Sequence, residues 1–312
     1  MKFKVAVIGA GYFGQKHIKV LNEMSDVEIV GIVDKDIIKA QEIAKQYNLK
    51  YYSDYRELLN LAQIFFVVTP TITHFEIGME LINNGKAIFI EKPLTEKPLF
   101  AEKLLNEAAN KNVIIQTGLI ERYNPVVRSL MEHLNSPIFI QTERVSPFLG
   151  RATDTDVTYD LMIHDIDLIW MLLKILENFK LKDLKVFKKS LVTSRIDYAS
   201  VWMELISNNF NVKAHLTASR VSSGFSRKIS IVQQDNILYA DLLNRTLTKV
   251  DKEGKVTEIV IKNRDCQPLY EEIRDFLNSV KLNKPSPYAP SFKEIIEVIE
   301  IIDKINGGQS SL

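Results

Sequence analysis

The sequence predicts an α/β chain in two parts. Residues 1–119 form an N-terminal doubly wound parallel sheet, and residues 120–312 a C-terminal α+β part on a mostly antiparallel open sheet. Three observations point there. Over the first 120 residues, short β-branched runs alternate with amphipathic stretches, the pattern of a parallel sheet with helices on both faces. After residue 120 the alternation gives way to strand-like runs separated by turn signals, with little helical period. At 312 residues, the chain is long enough for two cores rather than one.

The candidate strands of the first part are KFKVAVI (2–8), VEIVGIV (27–33), KYY (50–52), IFFVV (64–68), AIFI (87–90) and VIIQT (113–117). Amphipathic segments lie between them near 13–24, 36–47, 54–61, 73–84 and 96–111. KVAVIG and IFFVVT are almost wholly apolar, as strands buried on both faces should be. The second part opens with a helix-like segment, 122–134, a strand, SPIFIQTERV (136–145), and a polar loop, FLGRATDTD (148–156). A helix over TYDLMIHDIDLIW (158–170) comes next. Strand-like runs follow at SVWMELI (200–206), NVKAHLTASR (211–220), KISIVQQ (228–234), ILYADLL (237–243) and EIVIKN (258–263). In the second of these, Val212, Ala214, Leu216 and Ala218 share one face, so the sheet should be covered by helices on one side. Helices at 268–282 and 291–306 close the chain around KPSPYAP.

Composition excludes several functions. Forty basic residues against thirty-nine acidic ones argue against a nucleic-acid or membrane partner. The basic run KLKDLKVFKK (180–189) reads as a solvated sheet edge or loop, where lysine discourages strand association. Cys266 is the only cysteine, which rules out an intramolecular disulfide and suits a reducing compartment. The N-terminus does not resemble a signal peptide, and no window is long and apolar enough for a bilayer, so the expected location is cytoplasmic.

The first strand ends in GAGYFG, placing Gly9, Gly11 and Gly14 as G-x-G-x-x-G between a strand and a helix. Such glycines permit the tight turn, backbone approach to a pyrophosphate and close helix packing, while the helix N-terminus supplies amide donors. With Asp34 at the end of the second strand, twenty residues after Gly14, this is the signature of a Rossmann dinucleotide site. A carboxylate there accepts from a ribose diol and repels a 2′-phosphate, favouring NAD over NADP; Lys35 is a cation that could reach a phosphate instead. Thr69, Pro70 and Thr71 sit at the carboxyl edge of the sheet, where ligands bind, with a capping turn for the helix of His74 as the other reading. Tyr12, Phe13, His74, Glu91 and Gln116 are assigned to the same cofactor surface.

FIEKPL (89–94) places Lys92 at that carboxyl edge, on a turn stiffened by Pro93. In the 158–170 helix, Asp160, His164 and Asp167 fall within roughly 60° of one another at about 100° per residue, a polar stripe on an apolar rod. Asp165 points away and suits a structural ion pair or hydrogen bond. Unpartnered burial of such groups is costly, so the stripe should face something. Three ligands of this type could hold zinc, but a converging Lys92 would oppose a divalent cation, and no metal is expected.

Together, GAGYFG, Asp34, TPT-x-x-H (69–74), EKP (91–93), ERYNP (121–125) and D-x-x-x-H-D-x-D (160–167) resemble the glucose–fructose oxidoreductase and inositol dehydrogenase family over essentially the whole chain. The resemblance implies that Lys92, Asp160 and His164 line the nicotinamide and a sugar or cyclitol hydroxyl, with the stripe facing a cleft between domains. His164 would take the hydroxyl proton, Asp160 would orient it or share the proton, and Lys92 would stabilise the developing alkoxide or relay the proton. The hydride chemistry belongs to the cofactor. GLIERYNPVVRSL (118–130) and the GRATDTDVTYDLMIHDIDL run resemble the UDP-N-acetylglucosamine 3-dehydrogenase subgroup, although Leu119 stands where that subgroup has histidine. This implies oxidation of a nucleotide-sugar 3-hydroxyl, with Glu121, Arg122, Tyr123, Asn124 and Arg151 at the substrate. Arg122, Arg144, Arg151 and Arg220 are candidates for the diphosphate, with ion pairs as their alternative. A free-sugar or myo-inositol dehydrogenase, and a non-catalytic NAD(H)-binding regulator, are the competing readings. A partly apolar open sheet face further predicts a homodimer or homotetramer.

Overall fold

The computed structural model describes residues 2–150, 153 and 155–307. Its first unit, Met1–Ile120 with Leu269–Ile296, holds a six-stranded parallel sheet. The elements run β1 (Phe3–Ile8), α1 (Tyr12–Glu23), β2 (Val27–Val33), α2 (Ile37–Tyr47), β3 (Tyr51–Tyr52), β4 (Ile64–Val67), α3 (His74–Asn83), β5 (Ala87–Glu91), α4 (Pro98–Asn110) and β6 (Ile115–Gly118). The order β3-β2-β1-β4-β5-β6 reverses direction between β1 and β4, the crevice where open α/β sheets bind ligands. Helix ends follow local chemistry. Asp36 caps α2 by accepting the Lys39 amide at 3.2 Å, and Asn48 closes it in the left-handed region at φ 54°. The amphipathic segment expected at 54–61 is only a 3₁₀ turn, Tyr55–Leu58, because the Gln63 amide already joins the Lys4 carbonyl to begin β4.

The second unit, Glu121–Pro268 with Glu297–Leu312, is built on eight strands. Its elements are α5 (Pro125–His133), β7 (Pro137–Val145), a π-helical turn (Thr158–Met162), α6 (Ile163–Lys174), β8 (Lys180–Lys189), β9 (Tyr198–Ile206), β10 (Asn211–Ser219), β11 (Ser226–Gln233), β12 (Asn236–Asp241), β13 (Thr246–Asp251) and β14 (Val256–Glu258). The order is β14-β13-β12-β11-β7-β10-β9-β8, antiparallel except for the β7–β10 pair. Val212, Ala214, Leu216 and Ala218 are fully buried, as their spacing predicts. On the opposite face Trp202 stacks on His215 at 4.2 Å and remains half exposed. The basic run forms edge strand β8, its lysines exposed. EIVIKN is not a strand: TLTKVD supplies β13 instead, and after the Ile259 amide bonds the Leu247 carbonyl the chain leaves the sheet, with Val260 88% exposed.

The two closing helices are α7 (Pro268–Leu282) and α8 (Phe292–Asn306). Helix α7 returns to the first unit. Ile273, Phe276 and Leu277 are buried with Val5, Val7, Phe66 and Phe89, and Phe276 meets both aromatic rings at 5.6 Å. Arg274 pairs with Asp26 at 2.7 Å beside it. The first unit is therefore not one continuous stretch of sequence. Among the described residues no helix is long and apolar enough to cross a membrane.

Candidate functional site

The glycine turn meets the demands of a dinucleotide. Gly9 has φ +103°, and a Cβ there would lie 2.3 Å from the Val68 carbonyl oxygen. A Cβ on Gly14 would lie 1.9 Å from the Gly9 carbonyl oxygen, so only glycine lets α1 start this close to β1. Gly11 differs: its Cβ would meet nothing nearer than the Lys39 ammonium at 3.8 Å, so its backbone is open to a ligand. Gly11 is also the N-cap of α1 and brings no side-chain acceptor to the first-turn amides, which suits a pyrophosphate. The Asp34 carboxylate accepts from the Ala10 amide at 2.7 Å and the Asp36 amide at 3.0 Å, tying β2 to the turn. Lys35 is exposed. Lys39, which the sequence reading did not single out, brings its ammonium within 4.0 Å of Asp34 from the first turn of α2. Tyr12 and Phe13 expose their rings on the first turn of α1, edge to face at 5.4 Å. Gln116 is buried in β6.

At the carboxyl edge of the same sheet, Lys92 follows β5 and is half-buried. Its neighbours are held from below. Glu91 accepts from His17 Nε2 at 2.7 Å and, through its other oxygen, from the Lys92 amide at 3.1 Å. Burial pushes the Glu91 carboxyl up, yet the His17 hydrogen bond and charge, with Lys92, outweigh it and the net direction is down. The ring of His74 spans two loops, with Nδ1 3.0 Å from the Pro93 carbonyl oxygen and Nε2 2.9 Å from that of Thr69. Thr69, Pro70 and Thr71 form the turn into α3, closed by Thr73, whose hydroxyl donates to the Pro70 carbonyl and meets the Thr69 hydroxyl at 2.7 Å. Glu91 and His74 thus spend their side chains on the shape of the edge.

Burial pushes the His74 imidazole below its ordinary value, more than the facing Thr69 and Pro93 carbonyls lift it. As pH falls through about 6.5, the unfolded chain takes up a proton at this site that the folded chain refuses. Stability present above that pH is lost below it. In His74→Gln, the urea midpoint of the first unit should fall less between pH 7 and pH 5 than in the wild type. Equal slopes would remove His74 as the source.

In the second unit, the expected continuous helix begins as a π turn. The Ile163 amide reaches back to the Thr158 carbonyl, so the phase assumed at 100° per residue does not hold through Asp160. Asp160 and His164 are half-buried. Asp167 differs from them in burial and in partner: it is 1% exposed and accepts from Arg122 Nε and Nη2 at 2.9 and 2.5 Å. Asp165 has the structural role expected of it, accepting from Arg144 at 2.8 and 3.0 Å. Arg144 also donates to Glu121 at 2.7 Å, and Glu121 accepts from Asn124 and from Arg227 at 3.1 and 3.2 Å. Burial pushes Glu121 up, but the charges of Arg144 and Arg227 bring it below the usual carboxylate range.

This network corrects the expected roles of several residues. Arg122, Arg144 and Arg220, offered as diphosphate contacts, are buried on carboxylates, Arg220 against Asp197 at 3.6 Å. Tyr123 is 1% exposed, and Asn124 caps α5 by accepting the Val126 amide at 3.1 Å. The ERYN segment is interior fabric because Glu121, Arg122 and Asn124 have their partners inside the unit. Arg151 lies outside the described residues. Arg227, which the sequence reading did not single out, joins the network opposite Arg144 in the β7–β11 register, with 42% of its side chain exposed. Its only sequence signal was a basic residue at the start of a strand.

Residues 3–119 match the family described as "Oxidoreductase family, NAD-binding Rossmann fold". The chain is 32% identical over 292 residues, 90% of each chain, to a UDP-N-acetylglucosamine 3-dehydrogenase of Acidithiobacillus ferrooxidans. A solved structure of that enzyme superposes with a TM-score of 0.88 at 29% identity, covering 98% of this chain and 97% of the other. An inositol 2-dehydrogenase/D-chiro-inositol 3-dehydrogenase of Lacticaseibacillus casei is 25% identical over 93% of this chain and 88% of its own. With a dinucleotide turn and a lysine-bearing sheet edge inside one such fold, the chain belongs to the glucose–fructose oxidoreductase/inositol dehydrogenase (Gfo/Idh/MocA) family of oxidoreductases.

Proposed function

We propose that this enzyme oxidises the 3-hydroxyl of UDP-N-acetylglucosamine, or of a closely related nucleotide sugar, with NAD as hydride acceptor. The observation that carries the reading is the 32% identity over 90% of both chains to an enzyme of that name, against 25% for the inositol dehydrogenase. The cofactor supplies the hydride acceptor when bound. Gly9, Gly11 and Gly14 give it a cradle, the α1 amides meet its pyrophosphate, and Asp34 takes its ribose hydroxyls and disfavours a 2′-phosphate. His164 accepts the hydroxyl proton, since imidazole is the side chain suited to exchange a proton near neutral pH. Asp160 orients it, and Lys92 stabilises the alkoxide. A homodimer or homotetramer through the open face of the second sheet, around Trp202, and a cytoplasmic location complete the reading.

The test is to incubate the purified protein with NAD and UDP-N-acetylglucosamine, and separately with myo-inositol and free hexoses. NADH absorbance reports turnover and mass spectrometry the product. A two-dalton loss from the nucleotide sugar alone is expected. Turnover of the polyol alone would discard the nucleotide-sugar substrate and keep the reaction type.

Because Arg122, Arg144 and Arg220 are buried, whereas Arg227 keeps 42% of its side chain exposed beside Glu121, Arg227 is the guanidinium assigned to the diphosphate. Arg227→Leu should raise KM for UDP-N-acetylglucosamine by about 10- to 100-fold, the range of a lost charge-assisted hydrogen bond, with kcat little changed. An unchanged KM would release Arg227 from that role.

A further inference from the structure

Two of the five histidines of the chain are fully buried in the first unit, outside the proton-handling set, and both grip the turn that carries Lys92. His17 lies on α1, one turn past Gly14, with no exposed surface and its ring against Phe66 and Phe89 at 5.8 and 5.3 Å. An imidazole in such a setting is costly unless its polar atoms are used. Its Nε2 meets Glu91 Oε1 at 2.7 Å, and the remaining Glu91 oxygen accepts the Lys92 amide at 3.1 Å. Glu91 reaches under the sheet edge because its register partner on β6 is Gly118, where a Cβ would stand 3.2 Å from the Glu91 carboxyl carbon. On the other side of Lys92, the Pro93 carbonyl oxygen lies 3.0 Å from His74, itself held at Thr69.

We propose that His17 and His74 are positioning residues that hold Lys92 from both sides, His17 through the Glu91 carboxylate and His74 through the Pro93 carbonyl. This rests on the reading of Lys92 as a group that handles charge at the substrate hydroxyl. The link through His17 has a further consequence. The helix that presents its N-terminal amides to the pyrophosphate is the helix that fixes the lysine-bearing turn. Cofactor-binding turn and reactive edge are then one rigid piece rather than two independently placed loops. A lysine held by a backbone anchored on each side presents its ammonium without ordering it anew in every turnover, and a shift near 1 Å would be felt in the rate.

The test uses the full chain and compares His17→Phe, which keeps a ring among Phe66 and Phe89 but loses the donor, with His17→Gln, which restores one. Glu91→Gln reads the same link from the other end should His17→Phe fail to fold. Steady-state kinetics with NAD and UDP-N-acetylglucosamine are paired with direct NAD titration. They are also paired with carbon-13 NMR of reductively dimethylated protein, in which the Lys92 resonance is the one missing from Lys92→Arg. The expected result is a kcat about 10- to 100-fold lower in His17→Phe, with KM and NAD affinity little moved, the Lys92 resonance displaced, and most of both recovered in His17→Gln. Wild-type kcat together with an unmoved resonance in His17→Phe overturns the proposal, as does a loss of NAD affinity that accounts for the whole change. If Lys92→Met itself keeps full kcat, the role given to Lys92 fails instead, and the resonance alone decides whether His17 holds it.

Discussion

Lys92→Met and His164→Asn should each lower kcat by about 10²- to 10⁴-fold while NAD affinity stays near that of the wild type. The reasons differ. Removing a secondary hydroxyl's proton as its hydride leaves requires a base at neutral pH, and His164 is half-buried on a helix whose flanking residues Ile163 and Asp165 are fully buried. Asparagine keeps approximate shape and polarity and cannot take the proton. In the proposed mechanism Lys92 provides positive charge where alkoxide character develops, and methionine keeps most of its length without that charge. Neither side chain belongs to the glycine turn or to Asp34, so cofactor affinity should survive both changes. If the two act on one proton transfer, the double variant costs little more than the worse single variant. NADH formation in the presence of UDP-N-acetylglucosamine and NAD titration by tryptophan fluorescence measure the two quantities. A Lys92→Met enzyme within a factor of ten of wild-type kcat would sink the assignment of Lys92.

What the sequence disclosed about these sites depended on distance along the chain. The glycine turn was legible because its constraints are local: Gly9 needs its positive φ, and Gly14 needs room against an oxygen five residues away. The second sheet was legible because period-two burial shows directly in runs such as NVKAHLTAS, and the first because strands buried on both faces read as unbroken apolar runs such as IFFV. Asp165 could be marked as structural because its direction on the helix set it apart. Asp167 could not, since its partner Arg122 is 45 residues away along the chain. The return of α7 to the first unit was hidden for the same reason, its partners Phe66 and Phe89 being some two hundred residues earlier. His17 looked like one more polar position on an amphipathic helix, and only the tertiary structure brings Glu91 to its ring. Local strain and local period are written in neighbouring residues. Pairing of buried charges is written in the fold.

Arg144→Met should be the most destabilising single change in the second unit. Arg144 is 2% exposed and serves Asp165 and Glu121 together; burial pushes its guanidinium down, and the two carboxylates outweigh that and hold it charged. Removing it leaves two buried carboxylates, Glu121 retaining Asn124 and the partly exposed Arg227 while Asp165 loses the partner seen at 2.8 Å. Breaking a buried pair in this way costs about 3–5 kcal/mol, far more than the pair contributes relative to an apolar substitute. For a unit of this size that corresponds to a fall in Tm on the order of 10 °C. The asymmetry gives the control: Arg144→Met combined with Asp165→Leu and Glu121→Gln removes the stranded charges and should recover much of the loss. Arg144→Lys should fall between, since an ammonium keeps the charge but cannot present a fork to two carboxylates. Calorimetry on the full chain reads all three, and an Arg144→Met transition within about 2 °C of the wild type would mean that water or Arg227 already satisfies these carboxylates. Because Asp165 directly follows His164 on α6, the same variant should also lower kcat below its unfolding transition, which would tie the stability of the charge network to the placement of the proposed base.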